Sequence, residues 1–247
     1  MPATGQIPIY PMTTRDEITL RTPDALLNGE GMVSVMKSCC PNILDPWKMP
    51  SVDVDSILIA IRMASYGTDM EVNSSCPSCN TTSNHTLDLN DIVPRIKMPD
   101  YNNTIEADSL KIRLKPQPYA EVNKNSMIMF EENKILQAIS EPDVSEEVRM
   151  ERFNQHLAKL VDLNVDSLAA STEYIETPDG EHVVDLAYIR DFYNNCQTKT
   201  IKAIRAKLDE LSKEAELPKV NVQCDSCENV YEMPVEFNYS SFFDQGS

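Results

Sequence analysis

Val72-Asn73-Ser74-Ser75-Cys76-Pro77-Ser78-Cys79 returns, far down the chain, as Val220-Asn221-Val222-Gln223-Cys224-Asp225-Ser226-Cys227. The valine, the asparagine, both cysteines and the serine before the second cysteine keep register in the two copies. Each Cys-x-x-Cys is followed by residues able to return as a strand: Asn84-His85-Thr86-Leu87-Asp88-Leu89 in the first copy and Asn229 to Phe237 in the second. The pattern predicts a strand, a tight knuckle and a returning strand, made twice. Two residues between cysteines let both thiolates converge on one ion while amides of the turn point at the sulfurs. Two such knuckles supply four soft ligands and a closed tetrahedral zinc site with no open position for water or substrate. Cys76, Cys79, Cys224 and Cys227 are therefore the expected ligands of a structural zinc. Metal binding would then be part of the folding free energy, on the order of 10 kcal/mol for sites of this kind. A thioredoxin-like redox pair should follow a buried strand and open a helix, whereas Cys76 and Cys79 stand among Asn, Ser and Thr.

The totals narrow the remaining choices. With 247 residues, 41% hydrophobic and 25% charged, the chain suits one large or two small globular domains. No apolar run reaches the roughly 18 residues of a membrane span. The opening Met1-Pro2-Ala3-Thr4-Gly5 has no signal-peptide character. The expected setting is the reducing cytoplasm, where Cys39, Cys40 and Cys196 read as buried or half-buried small residues. The formal charge is −17. Around the first knuckle stand Asp69, Glu71, Asp88 and Asp91 with no base; from Lys219 onward five acids face one lysine. Nucleic-acid binding requires basic residues that displace counterions, so the acidity favours a basic or neutral protein partner.

Along the rest of the chain, Ile7 to Met12 reads as extended, and Thr14 with Glu17 as the capping box of a short helix ending at Leu20. Pro23 opens another short helix with Leu26 and Leu27. Gly31 to Cys40 carries a Met-rich helical stripe suited to a core. Asp53 or Asp55 should open a central helix, Ser56 to Tyr66, closed by Gly67 in the left-handed conformation. Ser109 to Leu114 alternates as a strand. From Tyr119 to Ala215 the period is almost wholly helical: Met127 to Ile139, Ser145 to Leu163, Asp185 to Asn195 and Thr198 to Ala215, with a turn at Thr177-Pro178-Asp179-Gly180. The last helix carries a stripe at Ile201, Ile204, Leu208, Leu211 and Ala215. The expected fold class is α+β: mostly helical, with a split four-cysteine zinc ribbon and a helical insertion between its knuckles. The expected segments are 1–68, an N-terminal arm and helical part; 69–92, the first knuckle; 93–217, the inserted helical domain; and 218–247, the second knuckle with an aromatic tail. In that tail Tyr239, Phe242 and Phe243 are candidate partner contacts.

Enzymatic patterns are missing. None of the six glycines builds a phosphate-cradling loop. The three histidines, His85, His156 and His182, are scattered; His85 is a spare ligand beside a site already filled, and His182 a solvated group flanked by acids. Neighbouring acids such as Glu131 and Glu132 point to different faces of a helix.

The sequence resembles the baseplate hub proteins of contractile-tailed phages, a family that includes hub assembly chaperones. The resemblance is carried by Tyr10-Pro11-Met12-Thr13, Asp53-Val54-Asp55 with Ile57-Leu58-Ile59-Ala60-Ile61-Arg62, and Tyr66-Gly67. It continues through Cys76-Pro77-Ser78-Cys79, His85-Thr86-Leu87-Asp88-Leu89, Cys224, Cys227 and Phe237-Asn238-Tyr239-Ser240-Ser241-Phe242-Phe243. It implies a virion-assembly role in the tail baseplate, with host cytoplasm as the site of assembly. The resemblance implies other hub and tail proteins as partners and no catalytic residue; the charge speaks against nucleic acid, and no membrane or small-molecule substrate is expected. Three readings stand side by side: a structural hub component or its transient chaperone, a nucleic-acid-binding zinc ribbon, and a redox enzyme using Cys76 and Cys79.

Overall fold

A computed structural model describes residues 6–22, 28–139 and 145–235. The short helix expected at Pro23 and the aromatic tail lie outside the described residues. The chain divides into two compact units, one built from residues up to Met98 and from Glu214 onward, the other from Pro99–Lys213.

In the first unit an extended arm leads into α1 (Thr14–Leu20). The Tyr10 amide donates to the Cys39 carbonyl at 2.8 Å, and the Met12 amide to Ser65 Oγ at 2.9 Å. The helix is capped one residue earlier than its sequence suggests, by Thr13 with Asp16. Tertiary demand decides between the two registers. Asp16 is buried and also accepts from Ser38 Oγ, while Glu17 is drawn off to accept from the Tyr66 hydroxyl at 2.9 Å. Helix α2 (Glu30–Cys39) buries Met32, Val33, Val35, Met36 and Cys39, the Met-rich stripe acting as core.

Helix α3 (Ser51–Tyr66) begins before the expected aspartates, because Pro50 ends the preceding extended segment and its carbonyl accepts from the Asp53 amide. Only Ala64 among its residues is exposed, so it is central to this unit. Gly67 ends it at φ 88°, ψ −174°. The φ is positive as expected, but the ψ is extended rather than left-handed helical, and it launches the chain straight into a strand. That strand is β1 (Asp69–Ser75), paired antiparallel with β2 (Thr82–Asp88) from Asp69↔Asp88 to Ser75↔Thr82. A short helix α4 (Leu89–Ile92) follows.

The second unit is not wholly helical. A four-stranded antiparallel sheet, in the order β3 (Thr104–Ala107), β4 (Leu110–Leu114), β5 (Thr172–Glu176), β6 (His182–Val183), forms its floor. Helices α5 (Tyr119–Ile139) and α6 (Glu146–Ala170) leave and re-enter between β4 and β5; α7 (Leu186–Asn195) and α8 (Thr198–Ala215) follow β6. Three of these strands lie outside the expected ones, and α6 passes its expected end without a glycine or proline. Its end is fixed tertiarily: Gln117 Nε2 donates to the Ser167 carbonyl at 2.8 Å, and the Lys115 amide to the Ser171 carbonyl at 2.8 Å. Ile112, Leu114, Leu168, Ile175, Ile189, Tyr193, Ile204 and Leu211 form the core. The α8 stripe thus packs intramolecularly, with Ile201 and Leu208 half-buried beside it. The turn at Thr177–Gly180 closes with a Gly180 amide to Thr177 carbonyl bond of 2.9 Å.

The two units together are an α+β fold dominated by helix. Past α8 the first unit resumes with β7 (Val220–Gln223) and β8 (Val230–Met233), again an antiparallel hairpin.

Candidate metal centre

The knuckles sit at the tips of the β1–β2 and β7–β8 hairpins and are built alike. In the first, the Cys76 amide donates to the Thr81 carbonyl at 2.9 Å and the Asn80 amide to the Cys76 carbonyl at 2.9 Å. In the second, the Cys224 amide donates to the Asn229 carbonyl at 2.9 Å and the Glu228 amide to the Cys224 carbonyl at 3.0 Å. The residue after each second cysteine takes a left-handed φ, 57° at Asn80 and 56° at Glu228. The first cysteine of each pair is buried and the second exposed. The repeat in the sequence is therefore a repeat in space, turn for turn.

The hairpins face one another tip to tip, bringing all four sulfurs within 4.8 Å of one another. Cys76 Sγ lies 3.7 Å from Cys227 Sγ, and Cys79 Sγ 3.6 Å from Cys224 Sγ. Four thiolates at a Zn–S distance of about 2.3 Å around a tetrahedral ion stand roughly 3.8 Å apart. The fit is close, whereas a disulfide would need sulfurs at about 2.05 Å. All seven cysteines are free thiols. Amides supply the remaining donors: the Ser78 N–H reaches Cys76 Sγ at 3.4 Å, and Asn229 Nδ2 reaches the same sulfur at 3.8 Å. Such N–H groups stabilise thiolate, the form a metal requires.

The thiols respond unequally. The Thr81 hydroxyl and amide hold Cys79 down at about 6. Burial presses Cys76 upward, but the amides of Cys79 and Ser78 prevail and lower it. At Cys227 the Asn229 amide pulls downward and is outweighed by Cys79 and burial, so the thiol is pushed up to about 12. Four sulfurs this close cannot all ionise alone; a divalent cation would drive off the remaining protons. Cys39 and Cys40 behave differently, as burial pushes them up to about 12 and about 11 and keeps them as thiols.

A second set of contacts clasps the hairpins along their flanks. The Tyr231 hydroxyl donates to Ser74 Oγ at 3.1 Å and lies 3.4 Å from His85 Nε2, the two rings meeting edge to face. His85 is thus occupied in the clasp and stands outside the sulfur cluster. Tyr231 carried no motif; its only signal is its place on the returning strand. Of the other candidates, His182 stacks on Tyr174 beside Glu176 at the surface, while Tyr239, Phe242 and Phe243 fall outside the described residues.

Among the buried polar groups that sequence reading missed, one joins the two longest helices. Glu132, from α5, lies with His156 and Lys159, from α6, at 2.8 and 2.7 Å. The Lys159 ammonium and His156 hold its carboxyl below the usual carboxylate range. Separation along the chain hid the pairing.

The fold and its split four-cysteine ribbon define a small α+β protein organised around a candidate structural metal centre. The profile of the family described as T4 bacteriophage base plate protein matches residues 1–244, and the chain belongs to that family. It is a phage baseplate protein. No curated protein and no solved structure matches it. No helix among the described residues is long and apolar enough to cross a membrane.

Proposed function

We propose that this chain is a non-catalytic component of the central baseplate hub, binding other hub and tail proteins while the contractile tail is assembled. The observation that carries this reading is the family match across nearly the whole chain. The closed donor set of Cys76, Cys79, Cys224 and Cys227 supports a zinc ion in a stapling role, since it offers no position for a reacting group. The charge of −17 supports a neutral or basic protein partner over nucleic acid. Tyr239, Phe242 and Phe243 are proposed as partner contacts.

Quantitative mass spectrometry of purified particles tests the role, with copy number set against known tail proteins. A fixed small number per particle is the expected result. Presence in infected cells but absence from particles would instead identify a transient assembly chaperone. Failure to associate with tail proteins in either setting overturns the hub reading and leaves the metal centre untouched.

A further inference from the structure

The α5–α6 hairpin carries an unusual share of exposed apolar side chains. Met129 and Phe130 on α5 and Met150, Phe153, Leu157 and Val161 on α6 expose 41% to 61% of their surface. On α6 the four residues follow steps of three, four and four, which puts them in one stripe. The seam of the hairpin is marked by Glu132 facing His156. In an antiparallel helix pair, positions displaced equally from the seam fall on the same side. Met129 and Phe153 each stand three residues before a seam residue, and Asn133 and Leu157 one residue after. They therefore share one side; Glu131, Lys159 and the 38% exposed Ile135 lie on the other. On the apolar side a shallow groove of about 490 Å³ runs along α5 past Val122, Ser126, Met129 and Asn133.

We infer that this face is the contact surface for a second copy of the chain, two hairpins closing into a four-helix arrangement. Two observations choose the occupant. The first is charge. A twofold contact presents a patch to itself, so any net charge on it meets its like. In a chain at −17 this face carries, among the described residues, methionine, phenylalanine, leucine, valine, asparagine and serine, with Glu146 and Arg149 at its outer end and the Lys134 ammonium 4.4 Å from the centre of the Phe130 ring. A partner chosen by charge would need charge to read. The second is area. The six apolar side chains offer on the order of 500 Å² per copy, so a pair buries about 1,000 Å², the threshold for a specific interface. The inference stands apart from the proposed function, because it rests on residues of the second unit alone.

Sedimentation equilibrium on the full metal-loaded chain tests it. The wild type should pass from 27.9 kDa to twice that mass as concentration rises through the micromolar range. The double substitutions F153E/L157E and F153K/L157K should each hold at the single mass with an unchanged helical circular dichroism signal. Mixing the two should restore the doubled mass, which only a face that meets itself can do. A wild type that stays single at every concentration overturns the inference, including the case in which the face serves a different tail protein. A double variant that still dimerises overturns it equally. Where a variant fails to fold, the wild-type concentration series still exposes the inference to refutation.

Discussion

Asn80 and Glu228 occupy the same place in the two knuckles, and both hold a backbone conformation that costs an ordinary L-residue about 1 kcal/mol or more. Asparagine tolerates it; a glutamate with a long side chain tolerates it less well. Glu228→Gly should therefore raise stability by about 0.5–1 kcal/mol, read as a rise of roughly 2 °C in the thermal midpoint of the metal-loaded protein. Asn80→Gly should change it less. An unchanged or lowered midpoint for Glu228→Gly would mean that the turn is not strained. This constraint could not be read from the sequence, because the glycine that normally announces such a turn is present in neither copy. The cysteine register was legible because thiolate ligands tolerate no displacement along the chain.

At the scale of the element, the α5–α6 hairpin is held at its seam by the carboxylate of Glu132, lowered from its ordinary value by Lys159 and then His156. A lowered folded-state value means that this contribution is fully present above the unfolded carboxyl value of about 4.3 and is lost as pH falls through the lower folded one. Far-UV circular dichroism should thus show an acid-side loss of helix in the wild type below about pH 4. In Glu132→Gln the signal should start lower or melt earlier at neutral pH and show a smaller acid step. Identical acid profiles for the two proteins would show that the pair does not hold the hairpin. Helices α2, α3, α7 and α8 were legible because each buries a stripe with its own period. Strand β5 was not: Thr172 to Glu176 follows α6 without a breaking residue, and what stops the helix is Gln117, far back in sequence. The partnership of Glu132 and His156 was hidden for the same reason, since only the reversal between the helices makes them neighbours.

At the scale of the molecule, each unit keeps its own core, and the four-cysteine cluster belongs wholly to the first. One divalent ion per chain should be found by elemental analysis, and Cys224→Ser should abolish it. Chelation should lower the thermal midpoint by about 10 °C or more, given a site of this donor set. It should also open the knuckles to protease while the segment Pro99–Lys213 stays protected. Cleavage spread evenly over the chain would show that the metal supports both units. The sequence disclosed that two distant segments form one ribbon, since the repeat survives in the letters; it did not disclose the sheet of the inserted unit, whose strands pair through long connections. The 145 positions separating Cys79 from Cys224 set a clock for biosynthesis. At ordinary elongation speeds of 5–20 residues per second, the first knuckle waits roughly 7 to 30 seconds as a half-site before its counterpart is made. The ribbon can therefore close only after every residue of the inserted unit, Pro99–Lys213, has been made.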